Sequence, residues 1–534
     1  MLPLSRRAYL SASAAALAYG SLPARAQSRA ETLRYVTAGV VNTLDPVMLG
    51  ATPEATALST CTYDRLLRFG RKPSGPDSYV FDFSSIQGEL AEGYELSPDG
   101  LTITLHLRDG GLWQDGSPIT AEDVKWSLDR AVSAQTMSKA QVATGSLTSP
   151  DQFSVVDTRT VQIKLPRPDR LAVPNLATTY LPMYNSKLAR QHATAEDPWA
   201  TSWLKDNTAG SGAYAVANFV SGKQVTLTRN DKWTNGTKPG FARLILQTVP
   251  EPETRANQVE RGDADITIAL QAEDMKRLEQ SSSVRVIATP MPTGFGALIF
   301  NTQLAPFDKP EVRQALSYAV PYDALFDTAL NGRGAKLYGA DWTGEPPTAE
   351  FPQPLPLHTD YALAKQKLAA AGFPDGFETT LSFSVSRASF ADPAAALIQE
   401  SFAKIGVKVR IEKLPDPQMA AAITEKRLPM LLERSLALFP STEYFFRIFL
   451  SGSSRWNFSS WNNAEVNQIL PQARYEPDQA KYDAMAKRMI GIMADQVPMV
   501  MLWKPTFDVV TARNITGFTT RYNYYPDLRD LSRT

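Results

Sequence analysis

The clearest alternation of apolar and polar side chains lies in residues 101–108. Its apolar members are Leu101, Ile103, Leu105 and Leu107. A period of two predicts a strand with one buried face. The turn residues Pro98-Asp99-Gly100 precede this run, and the run 89–96 precedes the turn. Because proline presets φ and glycine accepts a positive φ, the stretch predicts a β-hairpin.

A helix is predicted soon after this hairpin. Thr120 precedes Ala121-Glu122-Asp123, so a hydroxyl cap stands before a first turn that carries carboxylates. The residues that follow on one helical face are Val124, Leu128, Ala131 and Val132. Residues 153–156 and 161–165 predict a further strand pair.

Predicted strands and helices alternate through the rest of the chain, which indicates an α/β fold. The predicted strands include 33–36, 225–229, 244–249 and 407–411, and the helices include 253–261, 311–318 and 398–405. Residues 71–82 are polar and contain two prolines and a glycine, so they predict a boundary between lobes. Pro290-Met291-Pro292-Thr293-Gly294 predicts a crossing between lobes, since its prolines enforce extension.

The bulk properties fit a soluble protein with several lobes. At 534 residues the chain exceeds a single core, and about 150 residues per domain suggests two to four lobes. Lysine plus arginine and aspartate plus glutamate both number 55, so no global field favours nucleic acid or an anionic membrane. Beyond the leader, no segment approaches the roughly 18 to 20 uninterrupted apolar residues of a membrane span.

The N-terminus predicts an export signal. Ser5-Arg6-Arg7-Ala8-Tyr9-Leu10 precedes a short apolar run and matches the twin-arginine pattern, although chance arginines on an ordinary secretory leader are the alternative. Ala24-Arg25-Ala26 predicts cleavage after Ala26, and the mature chain is then slightly acidic. The single cysteine, Cys61, allows no internal disulfide and lies far from the cleavage site, so it cannot carry a lipoprotein anchor. We therefore expect a free periplasmic protein.

The sequence offers no catalytic or metal-binding constellation. The three histidines, His106, His192 and His358, are scattered, and there is no cysteine pair. Gly210-Ser211-Gly212 lacks the spacing of both the phosphate loop and the nucleophile elbow. We therefore expect no cofactor, no metal and no enzyme activity.

Several motifs together closely resemble the dipeptide/oligopeptide/nickel family of substrate-binding proteins of ABC importers. They are Leu96-Ser97-Pro98-Asp99-Gly100-Leu101-Thr102, Leu107-Arg108, Asp115-Gly116, Thr120-Ala121-Glu122-Asp123-Val124, Arg229-Asn230-Asp231-Lys232-Trp233, Gly262-Asp263-Ala264-Asp265-Ile266 and Val312-Arg313-Gln314-Ala315-Leu316-Ser317-Tyr318-Ala319. The resemblance runs from about Leu33 to about Phe518. The nickel-carrying branch gains no support from the histidines.

The resemblance implies an α/β, bilobal periplasmic-binding-protein fold of class II, in the large form with an extra N-terminal subdomain and a hinge. After the signal peptide at 1–26, it divides the chain into lobe I, the inserted subdomain and lobe II. Lobe I comprises 27–72, 208–292 and 500–534, the inserted subdomain 73–207, and lobe II 293–499. The chain is expected to return to lobe I near Val497–Trp503.

The implied function is capture of a small solute, peptide-like or another organic compound, between the lobes. The protein would then deliver its ligand to a membrane permease, and a separate ATPase would supply the work, because this chain has no phosphate loop. We expect a monomer without nucleic-acid partners. The alternative is a secreted hydrolase on a bilobal scaffold, and ligand-induced closure without turnover would separate the two.

The resemblance places residues 37–45 and 434–458 against the cleft. The candidate ligand-binding residues are Thr37, Thr43, Asp45, Arg434, Leu438, Phe439, Tyr444, Trp456, Asn457 and Phe458. Core packing is the alternative for each aromatic residue, and Trp456 is the preferred candidate for stacking on a ligand.

Leu438 indicates the type of ligand. Peptide-binding members of the family commonly carry, at the matching position, a carboxylate that receives the ammonium group of the peptide. Leucine at this position disfavours a ligand with a free N-terminus, because burying an unpaired ammonium group costs roughly several kcal/mol. A small slip of the alignment would let Glu433 or Glu443 supply the charge. Arg434 could pair with a carboxylate or phosphate of the ligand, or simply be solvated.

Overall fold

The computed structural model describes residues 29–534. The predicted leader and its cleavage site lie outside the described residues. The strands are β1 (Thr32–Thr37), β2 (Leu67–Gly75), β3 (Ser78–Gly88), β4 (Ala91–Leu96), β5 (Thr102–Leu107), β6 (Phe153–Asp157), β7 (Thr160–Lys164), β8 (Tyr214–Val220), β9 (Gln224–Arg229), β10 (Arg243–Thr248), β11 (Ile266–Ile268), β12 (Val284–Pro290), β13 (Gly294–Phe300), β14 (Ala335–Lys336), β15 (Glu378–Ser384), β16 (Lys408–Leu414), β17 (Met430–Leu436), β18 (Met499–Lys504), β19 (Thr506–Ala512), β20 (Ile515–Thr516), β21 (Phe518–Thr520) and β22 (Ser532–Arg533).

The helices surround the sheets and connect their strands. They are α1 (Pro53–Thr62), α2 (Ala121–Ser133), α3 (Met137–Val142), α4 (Ala172–Asn175), α5 (Ser186–Gln191), α6 (Thr201–Leu204), α7 (Pro252–Arg261), α8 (Ala272–Leu278), α9 (Pro310–Ala319), α10 (Tyr322–Ala324), α11 (Tyr361–Ala370), α12 (Ala388–Ala403), α13 (Asp416–Thr424), α14 (Thr442–Phe449), α15 (Ala464–Tyr475) and α16 (Gln479–Gln496). Within residues 29–534, none of them is long and apolar enough to cross a membrane.

Lobe I is built on a seven-stranded sheet in the order β12-β19-β11-β1-β10-β9-β8. Strand β1 pairs in parallel with both β10 and β11, and the other neighbours are antiparallel. Leu33, Leu244 and Ile266 are fully buried in a shared apolar core. Burial of these alternate residues fixes the register of the three parallel strands.

Lobe II is built on a six-stranded sheet in the order β14-β18-β13-β17-β15-β16. Strand β15 is parallel to β16 and β17, whereas β13 is antiparallel to β17 and β18. Strand β18 therefore belongs to this sheet, although the sequence analysis placed the return to lobe I at residue 500. The apolar run Met499–Trp503 is buried on both faces, so it marks a central strand without showing which sheet it joins.

The predicted hairpin and its helix are confirmed. Strands β4 and β5 pair antiparallel and continue into β7 and β6 as a four-stranded sheet. Thr120 donates its backbone N–H to Asp123 at 3.0 Å, which closes the capping box at the start of α2. The boundary predicted at residue 73 falls inside β2. The polar stretch 71–82 contains the end of β2, the turn and the start of β3, and β3 of this hairpin also pairs with β21.

The chain passes between the two large sheets at two adjacent points. The predicted crossing at residues 290–294 is confirmed, since β12 ends in one sheet and β13 begins in the other. The second crossing is Pro505, between β18 and β19. Met291 donates its backbone N–H to the carbonyl of Pro505 at 3.0 Å, so the two connections lie side by side.

Candidate ligand-binding cleft

The parallel strands of lobe I end at the edge where the chain crosses to lobe II. The register places the carboxyl ends of β1, β10 and β11, at Thr37, Thr248 and Ile268, on the edge that also carries Pro290 and Thr506. In open α/β sheets, ligands bind outside the carboxyl ends of parallel strands.

Lobe II presents the corresponding edge. Strands β15, β16 and β17 end at Ser384, Leu414 and Leu436, on the edge that carries Gly294 and Lys504. The parallel strands of both sheets therefore have their carboxyl ends on the side where the chain crosses between the lobes. We call the space between these two edges the cleft, and it is the candidate site.

Thr37 and Thr43 are buried at the lobe I side of the cleft. The hydroxyl of Thr37 accepts a hydrogen bond from the backbone N–H of Gly39 at 3.3 Å. Thr43 donates its hydroxyl to the carbonyl of Lys205 at 3.0 Å. Both hydroxyls thus stabilise the chain after β1, and Thr43 connects it to the inserted subdomain.

Asp45 is fully buried and faces the inserted subdomain. Arg130 of α2 donates Nη2 to its Oδ2 at 2.6 Å, and the hydroxyl of Tyr184 donates to its Oδ1 at 2.9 Å. The carboxylate raises the pKa of Arg130 against the opposing effect of burial. These contacts occupy both carboxylate oxygens, so Asp45 joins lobe I to the inserted subdomain.

Arg434 presents a solvent-exposed guanidinium near the carboxyl end of β17. Within residues 29–534 its side chain has no hydrogen bond or ion pair, and the ring of Phe390 lies 5.6 Å from the guanidinium carbon. The adjacent Glu433 is buried and pairs with Arg387 at 3.3 Å. Although the side chain reaches solvent, the protein around it displaces part of its water; this desolvation and the charge of Arg387 lower the pKa of Arg434 to about 10, against the opposing charges of Glu433 and Asp508. Glu433 pairs with Arg387 and Asp508 pairs with Arg333, so Arg434 has no carboxylate partner of its own at this edge.

Glu433 and Glu443, the two carboxylates that could substitute for an acidic residue at Leu438, already have arginine partners. Glu443 is buried and accepts a hydrogen bond from Nε of Arg447 at 2.6 Å. Burial raises the pKa of both Glu433 and Glu443, although their arginine neighbours oppose that shift. Neither carboxylate is free to receive an ammonium group.

The aromatic residues after β17 pack mainly inside lobe II. Phe439 and Tyr444 are buried, and their rings meet edge to face with centroids 5.3 Å apart. Burial raises the pKa of the Tyr444 phenol. Leu438 is half-buried between them and the end of β17. Around the end of β17, Arg434 and Pro440 are exposed, and Ser435, Leu436 and Leu438 are half-buried.

The structure separates Trp456, Asn457 and Phe458 from Arg434. Lys426 donates Nζ to the carbonyls of Arg455 and Asn457, at 3.3 and 2.7 Å, beside the start of β17. Strand β17 is seven residues long, so this end lies roughly 20 Å from the cleft edge. Asn457 and Phe458 are buried, whereas Trp456 is 45% exposed at that distant end. The sequence could not reveal this separation, because helix α14 returns the chain along the strand.

One residue that the sequence did not indicate is Asn523. Its amide nitrogen and oxygen are buried without a hydrogen-bond partner in the described part of the chain. The neighbouring hydroxyl of Tyr522 contacts that of Thr179 at 2.6 Å, and the hydroxyl of Tyr524 contacts that of Thr293 at 3.0 Å. Asn523 thus lies between the inserted subdomain and the crossing, and its unpaired amide is a candidate polar contact for a ligand.

Residues 29–534 contain no group of three histidine, cysteine, aspartate or glutamate side chains placed to hold a metal ion. Cys61 is buried, and burial raises the pKa of its thiol to about 12, so the thiolate form is disfavoured.

A family model described as "Bacterial extracellular solute-binding proteins, family 5 Middle" matches residues 85–457. The chain belongs to this family. Among curated relatives, it is 26% identical over 468 residues to a probable D,D-dipeptide-binding periplasmic protein, DdpA, of Escherichia coli K12, covering 86% of each chain. It is 27% identical over 455 residues to the glutathione-binding protein GsiB of Pectobacterium atrosepticum, covering 80% of this chain and 82% of that one.

Solved structures confirm the bilobal fold of this family 5 member. A dipeptide-binding protein from Pseudoalteromonas sp. SM9913 superposes with a TM-score of 0.76 at 20% identity, covering 94% of this chain and 100% of the other. NikA from Brucella suis gives a TM-score of 0.79 at 18% identity, with the same coverage. The predicted class, a solute-binding protein of an ABC importer, is confirmed, and no finding supports the hydrolase alternative.

Proposed function

We propose that this chain works in the periplasm and that its ligand is a small organic anion without a free ammonium group. The observation that carries the ligand class is the exposed, unpaired guanidinium of Arg434 beside the carboxyl end of β17. A carboxylate or phosphate on the ligand would form charge-assisted, bidentate hydrogen bonds with such a group. The face of Phe390 would hold the guanidinium plane in position.

The nearby carboxylates support the exclusion of an ammonium group. Glu433 and Glu443 are both committed to arginines, and Leu438 contributes no charge. A peptide ammonium placed beside Leu438 would therefore lose its water without gaining a counter-charge, at a cost of several kcal/mol, roughly. A blocked or amine-free compound avoids this cost.

The names of the relatives leave the ligand open. They include a probable D,D-dipeptide-binding protein, a glutathione-binding protein and a structure in complex with agropinic acid from Agrobacterium. The ligands in these names are therefore of several kinds. The side chains of this cleft, rather than the family, support the proposal of an anion.

Closure of the cleft would couple binding to transport. Lobe I and lobe II are joined by two adjacent crossings, at residues 290–294 and at Pro505, which can act as a hinge. A ligand that contacts both cleft edges stabilises only the closed state. We propose that the permease recognises this closed monomer and that the ATPase of the transporter supplies the work.

The direct test is native mass spectrometry of the protein purified from its own periplasm, with identification of whatever remains bound. We expect a blocked, amine-free or anionic compound. Unmodified di- to pentapeptides in the cleft would contradict the ligand proposal while leaving the family assignment intact. A variant with Arg434→Ala, purified in parallel, should retain less of the compound.

Export by the twin-arginine route is the proposed path to the periplasm. The pattern Ser5-Arg6-Arg7-Ala8-Tyr9-Leu10 supports this route, and it requires the arginine pair. Replacing Arg6 and Arg7 by lysine should reduce the periplasmic fraction of the protein, whereas the same change at Arg25 should not. An undiminished periplasmic fraction would indicate the general secretory route.

A further inference from the structure

A polar pocket lies where β2, the loop after β9 and the C-terminal segment meet. It is a cavity of about 110 Å³, and its charged lining residues are Arg68, Arg71, Arg521, Arg529 and Asp530. None of these residues belongs to either edge of the cleft. Four guanidinium groups thus share one cavity with a single carboxylate.

The arginines beneath the pocket have counter-charges. Arg65 and Arg529 donate hydrogen bonds to Glu89 at 2.8 and 2.9 Å. Arg529 also pairs with Asp527 at 3.0 Å, and Arg521 contacts the same carboxylate. Although burial opposes it, the charges of Arg65 and Arg529 lower the pKa of Glu89 to about 2. Asp64 lies 3.7 Å from Arg529 as the third carboxylate, so three arginines face three carboxylates, and these contacts hold Arg529 and Arg521 in position.

Arg71 also has a partner, but Arg68 has none. Arg71 pairs with Asp530 at 3.0 Å. Arg68 is half-buried, and within residues 29–534 its side chain has neither a hydrogen bond nor an ion pair. Burial lowers the pKa of Arg68, the charges of Glu89 and Asp530 oppose that shift, and the charges of Arg529 and Arg521 lower the pKa further. Because an arginine side chain stays protonated, Arg68 brings to the pocket a positive charge that no carboxylate contacts directly.

We propose that this pocket binds a small oxyanion, with Arg68 as its principal ligand. Arg68 brings a planar, bidentate donor that has no other partner, and Arg71 and Arg529 add positive potential from the walls. The cavity volume admits a phosphate or a carboxylate group. The bound anion would complete the charge balance of the cluster and stabilise the junction between the β2–β3 hairpin and the C-terminal segment. This site is separate from the cleft and does not depend on the ligand proposed for it.

The test is isothermal titration of the mature chain with inorganic phosphate at constant ionic strength, with acetate and glycerol 3-phosphate as further arms. We expect phosphate to bind and Arg68→Gln to weaken it by at least about tenfold, because charge-assisted hydrogen bonds are lost. Arg68→Lys, which keeps the positive charge but loses the planar pair of donors of the guanidinium, should give an intermediate affinity. Stronger binding of acetate would identify a carboxylate site, and stronger binding of glycerol 3-phosphate a phosphomonoester site.

The matched control is Arg261→Gln, an arginine whose side chain is 69% exposed on lobe I. It should leave phosphate binding unchanged, and circular dichroism should show that all variants are folded. Absence of phosphate binding by the wild-type chain, or equal binding by Arg68→Gln, would overturn the proposal. Loss of binding in Arg261→Gln as well would show only a general charge effect and would also overturn it.

Discussion

Asp45 and Arg130 form an ion pair in which neither side chain reaches solvent. Asp45→Asn would keep the volume but remove the charge, leaving the Arg130 guanidinium buried without its counter-charge. We expect the free energy of unfolding in urea to fall by roughly 3–5 kcal/mol. Glu465→Gln is the control, because its pair with Arg488 is exposed, is screened by solvent and should contribute far less. A loss in Asp45→Asn no larger than in the control would contradict this role.

Arg434 and Trp456 make opposite predictions for ligand affinity. Arg434→Ala should raise the Kd of the compound recovered from the periplasm by at least about tenfold, because a charge-assisted contact is lost. Trp456→Ala should leave the Kd unchanged, since the indole lies at the distant end of β17, contrary to the role expected from its sequence. Calorimetric titration measures both, with the exposed Arg410 changed to alanine as control. Weakened binding in Trp456→Ala alone would reverse the assignment.

Local patterns predicted those elements whose signals are themselves local. The β4–β5 hairpin and helix α2 follow from alternation, a turn and a capping box within a short stretch. The β2–β3 hairpin was missed because its polar strands include Pro73 and Gly75 at a register shift, which read as a linker. Sequence patterns alone therefore misplaced the boundary at residue 73.

The partner of each strand in its sheet depends on long-range pairing, which local sequence patterns do not predict. An apolar run such as β18 predicts burial but not its partner strand, and that partner placed it in lobe II. The candidate site shows the same limit. Arg434 could be predicted near the cleft from the resemblance to the family, whereas Asn523 and Arg387 reach the region only through the fold. Trp456 was misplaced because its position depends on the direction in which α14 runs.

Strand β13 depends on a glycine that faces a tryptophan ring. A Cβ atom at Gly296 would lie 2.4 Å from the ring of Trp503, which is buried on β18. Gly296→Ala should therefore destabilise the protein by about 1–3 kcal/mol through overpacking, measured as the free energy of unfolding in urea. Gly93→Ala on β4 is the matched control, because an added Cβ there meets nothing within 4 Å. Equal stability of the two variants would show that the β13–β18 pair can relax.

In the whole molecule, the inserted subdomain also contacts lobe II directly. Arg474 of α15 pairs with the buried Asp169 at 3.1 Å. Arg170 donates Nε to the carbonyl of Glu476 at 2.7 Å and lies 4.4 Å from the ring of Tyr482. These contacts join parts of the molecule that the two crossings alone would allow to separate. We therefore expect these contacts to favour the closed arrangement.

Arg474→Ala should shift the equilibrium between open and closed forms. Removal of the guanidinium deletes its bonds to Asp169 and to the carbonyls of Ala143 and Thr144, all of which form only when the lobes meet. We expect a larger radius of gyration by small-angle X-ray scattering and a Kd raised by up to about tenfold, because a smaller fraction is competent to close. Arg488→Ala, which breaks an exposed pair inside lobe II, should change neither value. Scattering curves of Arg474→Ala that superpose on those of the wild type, with and without ligand, would show that closure does not depend on this contact.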